Sequence, residues 1–324
     1  MSTLRRRQAL AVLSLLPVPR FAWAQDYPSR PITVIMPFAP GGPADVIGRL
    51  VSQRMGSVLG QPLVIENRAG AGGTVATAYV ARAAPDGYTL LFATSSTQAI
   101  APALYRNLSY DPVASFAPIT EVATTTSLVL VSGGLPIHSM QELLAYAKAH
   151  PGELNYGSAG NGTPSHLGMA SFARMAGILI VHVPYRSGGE ALGALQQGQI
   201  QLLQDSVFTS FRLVEAGVAR AVAAASEQRL MALPDVPTLA EVGFPSHMMG
   251  TWNGFMAPAN TPAPVIARVH DAVVEVLAVP EVKEVFRRFD TRIVGSTPEE
   301  FAAKSARELE RWRSLVADLA IRVE

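Results

Sequence analysis

The 324-residue chain has no cysteine, and only 16% of its residues are charged. The missing cysteines exclude thiol catalysis, iron–sulfur clusters, cysteine-ligated zinc and every disulfide, so stability must come from core burial. The sparse charge leaves no cluster of lysine and arginine of the kind a nucleic-acid footprint requires. Outside the N-terminal segment, no run approaches the roughly 20 apolar residues that span a bilayer. Catalytic signatures are also missing: there is no G-x-S-x-G elbow and no G-x-x-x-x-G-K-[ST] loop. Gly70-Ala71-Gly72-Gly73 is not a dinucleotide fingerprint, because Val75 stands where its third glycine belongs. The six histidines form no H-x-x-x-H pair and have no carboxylate cluster beside them, so neither a metal nor a cofactor is expected. Ser165-His166 are neighbours in sequence, which does not bring a nucleophile within reach of its base.

At the N-terminus, Arg5-Arg6-Arg7 precede a short apolar stretch (Ala9 to Val18), and Ala22-Trp23-Ala24 follows as an A-x-A cleavage site. This is the pattern of an export signal over residues 1–24, cleaved after about Ala24, and it predicts an exported mature protein. Pro17 and Pro19 argue against a buried helix there. Twin arginines followed by Gln8-Ala9-Leu10 leave the export route open. Removing the segment leaves 22 basic against 25 acidic residues, so the apparent basicity belongs to the signal.

The full chain is 49% hydrophobic, and the part beyond the segment holds enough residues for two domains. Short β-rich runs (32–36, 62–66, 88–93, 127–131, 154–157, 178–183, 200–204 and 219–225) alternate with helical patterns. That alternation predicts an α/β protein with largely parallel sheets covered by helices. Ser139/Glu142, Thr238/Glu241 and Thr297/Glu300 read as capping boxes at helix starts. The last helix is expected over about 298–319, with Phe301, Leu309, Trp312 and Leu315 facing inward.

Two turns echo one another: Pro37-Phe-Ala-Pro-Gly-Gly-Pro-Ala44 and Pro184-Tyr-Arg-Ser-Gly-Gly-Glu-Ala191. Each follows an apolar strand and opens a helix, an arrangement that suits two facing lobes. A third turn, Tyr156 to His166, places Thr163 as N-cap and Pro164 at the first helical position. Gly160 and Gly162 permit close backbone approach, and Ser158 and Thr163 supply hydroxyls. Backbone N–H groups at such helix starts can hold an anion. Taken alone, each turn reads more readily as an ordinary capped connection, because most helix starts bind no ligand. Asp45 is either part of its own helix's cap, paired with Arg49, or an acceptor for a ligand donor.

Seven stretches occur in order: PFAPGGPADVIGRL (37–50), ENRAGAGGTVA (66–76), PDGYTLLFAT (85–94), YGSAGNGTPSHL (156–167), VPYRSGG (183–189), LPDVPTLAEVGFP (233–245) and APANTPAPVI (257–266). Together they resemble the Bug-type periplasmic solute-binding proteins of the tripartite tricarboxylate transporter system. The resemblance implies a two-lobed, flytrap-like periplasmic-binding-protein fold with a ligand cleft between the lobes. One lobe is expected over 25–124 plus 249–324, the other over 125–248. It also implies a monomer that captures a small carboxylate (dicarboxylate, tricarboxylate, amino acid or aromatic acid) and delivers it to polytopic membrane transporter subunits. A receptor feeding a sensor kinase would use the same cleft, and an enzyme is a third, weaker reading.

Carried onto matching positions, the implied ligand contacts are Phe38, Ala39, Gly41, Gly42 and Asp45 in the first turn. Ser95 and Thr97 lie in the segment after the third strand, and Asp205 in a later one. Ser158, Ala159, Gly160, Gly162, Thr163 and His166 complete the set. Gln98 stands where the family usually has His, and Gln201 and Gln204 stand where Asp and Phe are commoner.

Overall fold

The structure, a computed structural model, describes residues 27–245 and 250–319; the expected export signal lies outside them. In chain order, β1 (Ile32–Met36) leads to α1 (Pro43–Leu59), β2 (Leu63–Asn67), α2 (Thr74–Ala81) and β3 (Thr89–Thr94). A π-helical turn (Ser96–Ile100) then runs into α3 (Ala101–Leu104), followed by β4 (Phe116–Thr125). The second set comprises β5 (Ser127–Ser132), α4 (Met140–Ala149), β6 (Asn155–Ser158), α5 (Pro164–Ala176) and β7 (Val181–Pro184). It continues through α6 (Gly188–Gln196), β8 (Leu202–Ser206), α7 (Val207–Glu215) and β9 (Ala219–Ala224). Last come β10 (Thr251–Pro258), α8 (Ala263–Ala278), α9 (Pro280–Arg288), β11 (Arg292–Ile293) and α10 (Pro298–Leu319).

Two sheets result, ordered β11-β4-β10-β3-β1-β2 and β7-β6-β8-β5-β9. Both are mixed rather than largely parallel. β1 runs parallel to β2 and β3, and β6 to β7 and β8. β10 pairs antiparallel with β3 and β4, and β5 with β8 and β9. The antiparallel character of the first sheet comes from strands that sequence reading missed. β4 contains Pro118 and β10 contains Gly254, both poor strand residues, and each finds its partner far along the chain.

Each sheet has its own apolar core. In one lobe Val34, Ile47, Val51, Phe92, Phe255 and Val273 pack together; in the other Val129, Leu143, Phe172 and Leu202 do so. Each fully buried side chain of this kind stabilises the fold by about 1.5–3 kcal/mol before entropy is counted. A smaller cluster bridges the lobes, with Leu167 of α5 packed among Ile100, Leu104, Leu309 and Trp312. The chain crosses between sheets at Thr126, the single residue separating β4 from β5. It returns beside that point: Thr251 is registered opposite Thr125, and their hydroxyls lie 2.7 Å apart.

The hydroxyl half of each capping box forms at all three places. The carboxylate returns to the cap N–H at Thr238 and Thr297, and to His138 N–H at the first. Glu142 N–H donates to Ser139 Oγ, Glu241 N–H to Thr238 Oγ1 and Glu300 N–H to Thr297 Oγ1. The second does not start a helix as the sequence suggests. Its chain turns once and stops at Gly243, whose φ of 97° belongs to the left-handed region.

Candidate functional site

In both sheets the loops that follow β1, β3, β6, β7 and β8 meet in the space between the lobes. Outer ends of parallel strands are where a twisted α/β sheet leaves room for a ligand. They enclose a cavity of about 90 Å³. That is room for on the order of six to nine water-sized spheres, the size of a small organic acid. Phe38, Gly42 and Asp45 line it from one lobe, Ala159, Thr163 and Asp205 from the other, and Ser95 stands beside them.

Helix starts dominate this lining. Three helices of the second lobe carry side-chain caps: Ser139 on α4, Ser187 on α6 and Ser206 on α7. The starts of α1 and α5, which face each other across the cavity, carry none. Gly42 at the N-cap of α1 has no side chain to offer. Asp45, in the first turn, points back at its own loop, accepting from Gly41 N–H at 3.1 Å, Arg49 Nε at 2.9 Å and Asn67 Nδ2 at 2.8 Å. Burial works against its ionisation, but the bonds from Arg49, Asn67 and Gly41 prevail and hold its carboxyl below the ordinary range. Thr163 occupies the N-cap of α5, yet its hydroxyl donates to Gly160 O at 2.7 Å instead of accepting a helix N–H. First-turn N–H groups of both helices are therefore left for a partner from outside the helix.

The 156–166 turn is less open than its sequence implied. Ala159 N–H donates to Ser165 Oγ, Gly160 N–H to Ser158 Oγ and Gly162 N–H to His166 Nδ1. Ser158, Gly162 and His166 thus spend their polar groups shaping the turn and stand behind the cavity wall. Ser158 Oγ also lies 2.6 Å from His182 Nε2, and His182 stacks on His166 with ring centroids 4.0 Å apart. Burial pushes His166 down to about 4; burial and the neighbouring His166 push His182 down to about 3, so both are neutral at pH 7. Thr97 lies off the lining and locks the π-helical turn through Thr94 O at 3.0 Å. Ala39 and Gly41 flank the cavity without lining it, and Gly160 faces a second hollow.

Several lining residues escaped sequence reasoning, among them Ser127, Gly188, Thr251 and Asn253. Ser127, Thr251 and Asn253 come from the strands at the crossing point, where only the tertiary pairing brings residues 127 and 253 to one wall. Three buried polar atoms on the lining have no hydrogen-bond partner among the described residues: Ser95 Oγ, Gln204 Oε1 and Asn253 Nδ2. Gln98 is fully buried but does not reach the lining. Asp205 is 6% exposed and accepts from Thr209 Oγ1 at 2.6 Å; burial outweighs that bond and pushes its carboxyl up to about 7.

The sequence echo has a physical meaning. The two Gly-Gly turns touch, backbone to backbone, across the lobes. A Cβ on Gly189 would come within 2.9 Å of Gly41 C and O, and one on Gly42 within 3.4 Å of Gly188 N.

Residues 47–321 match the model of the tripartite tricarboxylate transporter family receptor. BugT of Bordetella pertussis is 32% identical over 302 residues, covering 93% of each chain. A solved structure described as a periplasmic transporter superposes with a TM-score of 0.90 at 41% identity, over 92% of this chain and 100% of the other. MatC of Rhodopseudomonas palustris, solved with bound malate, gives 0.86 at 34% identity, over 90% of this chain and 100% of MatC.

Proposed function

The chain belongs to the tripartite tricarboxylate transporter receptor family, and from that premise we propose that it captures a small carboxylate between its lobes and hands it to the membrane subunits of such a transporter. The observation that carries the reading is the pair of uncapped helix starts, α1 and α5, facing one cavity from opposite lobes. Among the described residues no lysine, arginine or histidine lines that cavity, so the amide dipoles are their source of positive potential. Each dipole contributes about 0.3–1 kcal/mol, rising to ~2 when partly buried. Each hydrogen bond to the charged group adds about 1.5–3 kcal/mol. Two helix starts with a few such bonds suffice to retain one carboxylate without a cationic side chain.

In this reading the first turn (Phe38 to Asp45), Ser95, the start of α5 and Asp205 form the ligand shell. Ser158, Gly162, His166 and Thr97 hold it in shape. The lobes, about 25–124 with 249–324 and about 125–248, hinge at the paired Thr125 and Thr251. Closure excludes bulk water and strengthens each polar contact. The mature protein works as a periplasmic monomer; the periplasmic part of this reading is supported by a neighbour described as a periplasmic transporter. Malate in MatC supports a small acid as the cargo.

A thermal-shift panel of amino acids, dicarboxylates, citrate and aromatic acids tests the reading. One member is expected to raise the melting temperature in a concentration-dependent way. If none does, and native mass spectrometry finds no co-purified acid, the assignment fails.

A further inference from the structure

α9 ends on a residue that its own turn does not explain. Thr291 N–H donates to Phe286 O at 2.9 Å and Asp290 N–H to Arg287 O at 3.1 Å, which is a Schellman stop. That stop needs a left-handed residue, ordinarily glycine, and Asp290 fills it at φ 46°. The carboxylate that glycine would lack has a use in the other lobe. Asp290 accepts from two successive amides there, Met231 N–H at 3.2 Å and Ala232 N–H at 3.0 Å.

Aromatic rings are exchanged beside this contact. Phe208, at the start of α7 in the second lobe, packs against the core of the first. Phe289, at the end of α9 in the first lobe, packs against a core of the second. Their ring centroids lie 4.9 Å apart, with Phe286 5.9 Å from Phe208 and Phe211 5.7 Å from Phe289. Each lobe thus shields a ring of the other from water, a gain that separation at this point would forfeit.

Both sides of the contact hang from the strands at the crossing between sheets. β11, two residues after Asp290, pairs with Ala123 and Thr124 near the end of β4. Ala224, at the end of β9, pairs with Leu128 near the start of β5. A rotation about the crossing displaces such neighbours little and displaces distant parts far. The Gly-Gly turns, by contrast, meet by close approach of bare backbone.

We propose that Asp290 and the exchanged Phe208 and Phe289 form a permanent joint between the lobes, a second fixed point besides Thr125 and Thr251. Two fixed points define one axis. The lobes then swing apart at the glycine turns without twisting or sliding, and the turns return to the same register at each closure. The joint presupposes the lobe closure proposed above and is independent of which acid closes it.

Because the chain has no cysteine, nitroxide labels can be attached selectively at Val64→Cys in the first lobe and Leu179→Cys in the second, both exposed sites. Pulsed electron resonance on the mature, ligand-free chain reads the lobe separation, and amide hydrogen exchange reads the joint. In wild type, the Met231 and Ala232 amides are expected to exchange about 100-fold or more slower than free loop amides, although Met231 is 66% exposed. Asp290→Gly keeps the left-handed turn and removes the carboxylate. It should cut that protection about tenfold and broaden the distribution of lobe separations. Asp290→Asn retains an acceptor oxygen and should keep part of both, while Phe289→Leu should broaden the distribution. The amides of Phe255 and Leu202, one in each core, are the controls for folding. Should Asp290→Gly lose that control, Asp290→Asn and Phe289→Leu carry the test. If Met231 and Ala232 exchange as free amides in wild type, or if no variant alters protection or lobe separation, the joint is overturned. A ligand-free separation wider than that in the structure then leaves lobe closure standing. The structure's own separation, narrow in wild type and every variant, removes both.

Discussion

The turns at Gly41-Gly42 and Gly188-Gly189 have closely similar sequences and do different work. Both follow a strand, both open a helix, and they meet across the cleft. The start of α6 is closed by its own residues: Glu190 N–H donates to Ser187 Oγ, and Glu190 returns a carboxylate to Arg186 N–H. The start of α1 is open, because Gly42 has no side chain and Asp45 is tied to Gly41, Arg49 and Asn67. An N-cap hydroxyl, present at position 187 and missing at position 42, separates a helix start closed by its own residues from one without a side-chain cap.

The largest break in this comparison is expected from Gly189→Ala. Its new methyl would meet Gly41 backbone, which cannot swing aside as a flexible side chain does. Ligand affinity should fall about 100-fold, about 2.7 kcal/mol, with little change in the melting temperature of the unliganded protein. Small-angle scattering should show that the radius of gyration no longer contracts on adding ligand; normal contraction would refute the contact as a condition of closure.

Next in size is Gly42→Asp, which gives α1 the cap that α6 already has. Its backbone, at φ −84° and ψ 170°, accommodates any residue. Stability should rise by a few tenths of a kcal/mol, while a carboxylate competing for the same N–H groups lowers affinity by tenfold or more. Opposite signs are the diagnostic result, and parallel changes would contradict it. The reciprocal change, Ser187→Ala, uncaps α6 and should cost about 1 kcal/mol in denaturant unfolding, with affinity within about threefold of wild type.

The remaining effect concerns pH and stability, with ligand affinity left aside. Asp205 titrates higher in the fold than in the unfolded chain, so the fold holds this proton more tightly. Its contribution to stability is full below the ordinary carboxylate range and declines as pH rises from about 3.8 to about 7. His166 has the opposite sign: buried neutral, it costs stability as pH falls from 6.5 through about 4. Asp205→Asn should flatten the upper slope of an unfolding-versus-pH curve and leave the lower slope in place.

Legibility in sequence followed the distance over which each feature is encoded. The last helix, expected over 298–319, occupies Pro298–Leu319, because a capping box and an amphipathic period are local signals. Phe301, Leu309 and Trp312 are buried as its pattern required. β4 and β10 were invisible, since their hydrogen bonds join residues more than a hundred positions apart and neither shows alternation of its own. A buried run such as Trp252 to Pro258 was the signal available, and Gly254 and Pro258 masked it. At the site, Gly42, Asp45 and Thr163 were accessible from turn chemistry, and Phe38 and Ala159 only through the family resemblance. Asn253 and Ser127 were not, because no local pattern states which wall they face.

Residue order alone determined the helix starts at Ser139 and Thr297, which turns lack bulk, and that the chain has no thiol. Those properties depend on backbone dihedrals, caps and side-chain inventory within a few positions. Which helix starts remain uncapped toward a shared space, which glycines touch across it, and where Asp205 loses its water were decided only by tertiary structure. Desolvation and dipole convergence depend on what stands opposite a residue, and the opposite wall here belongs to the other lobe.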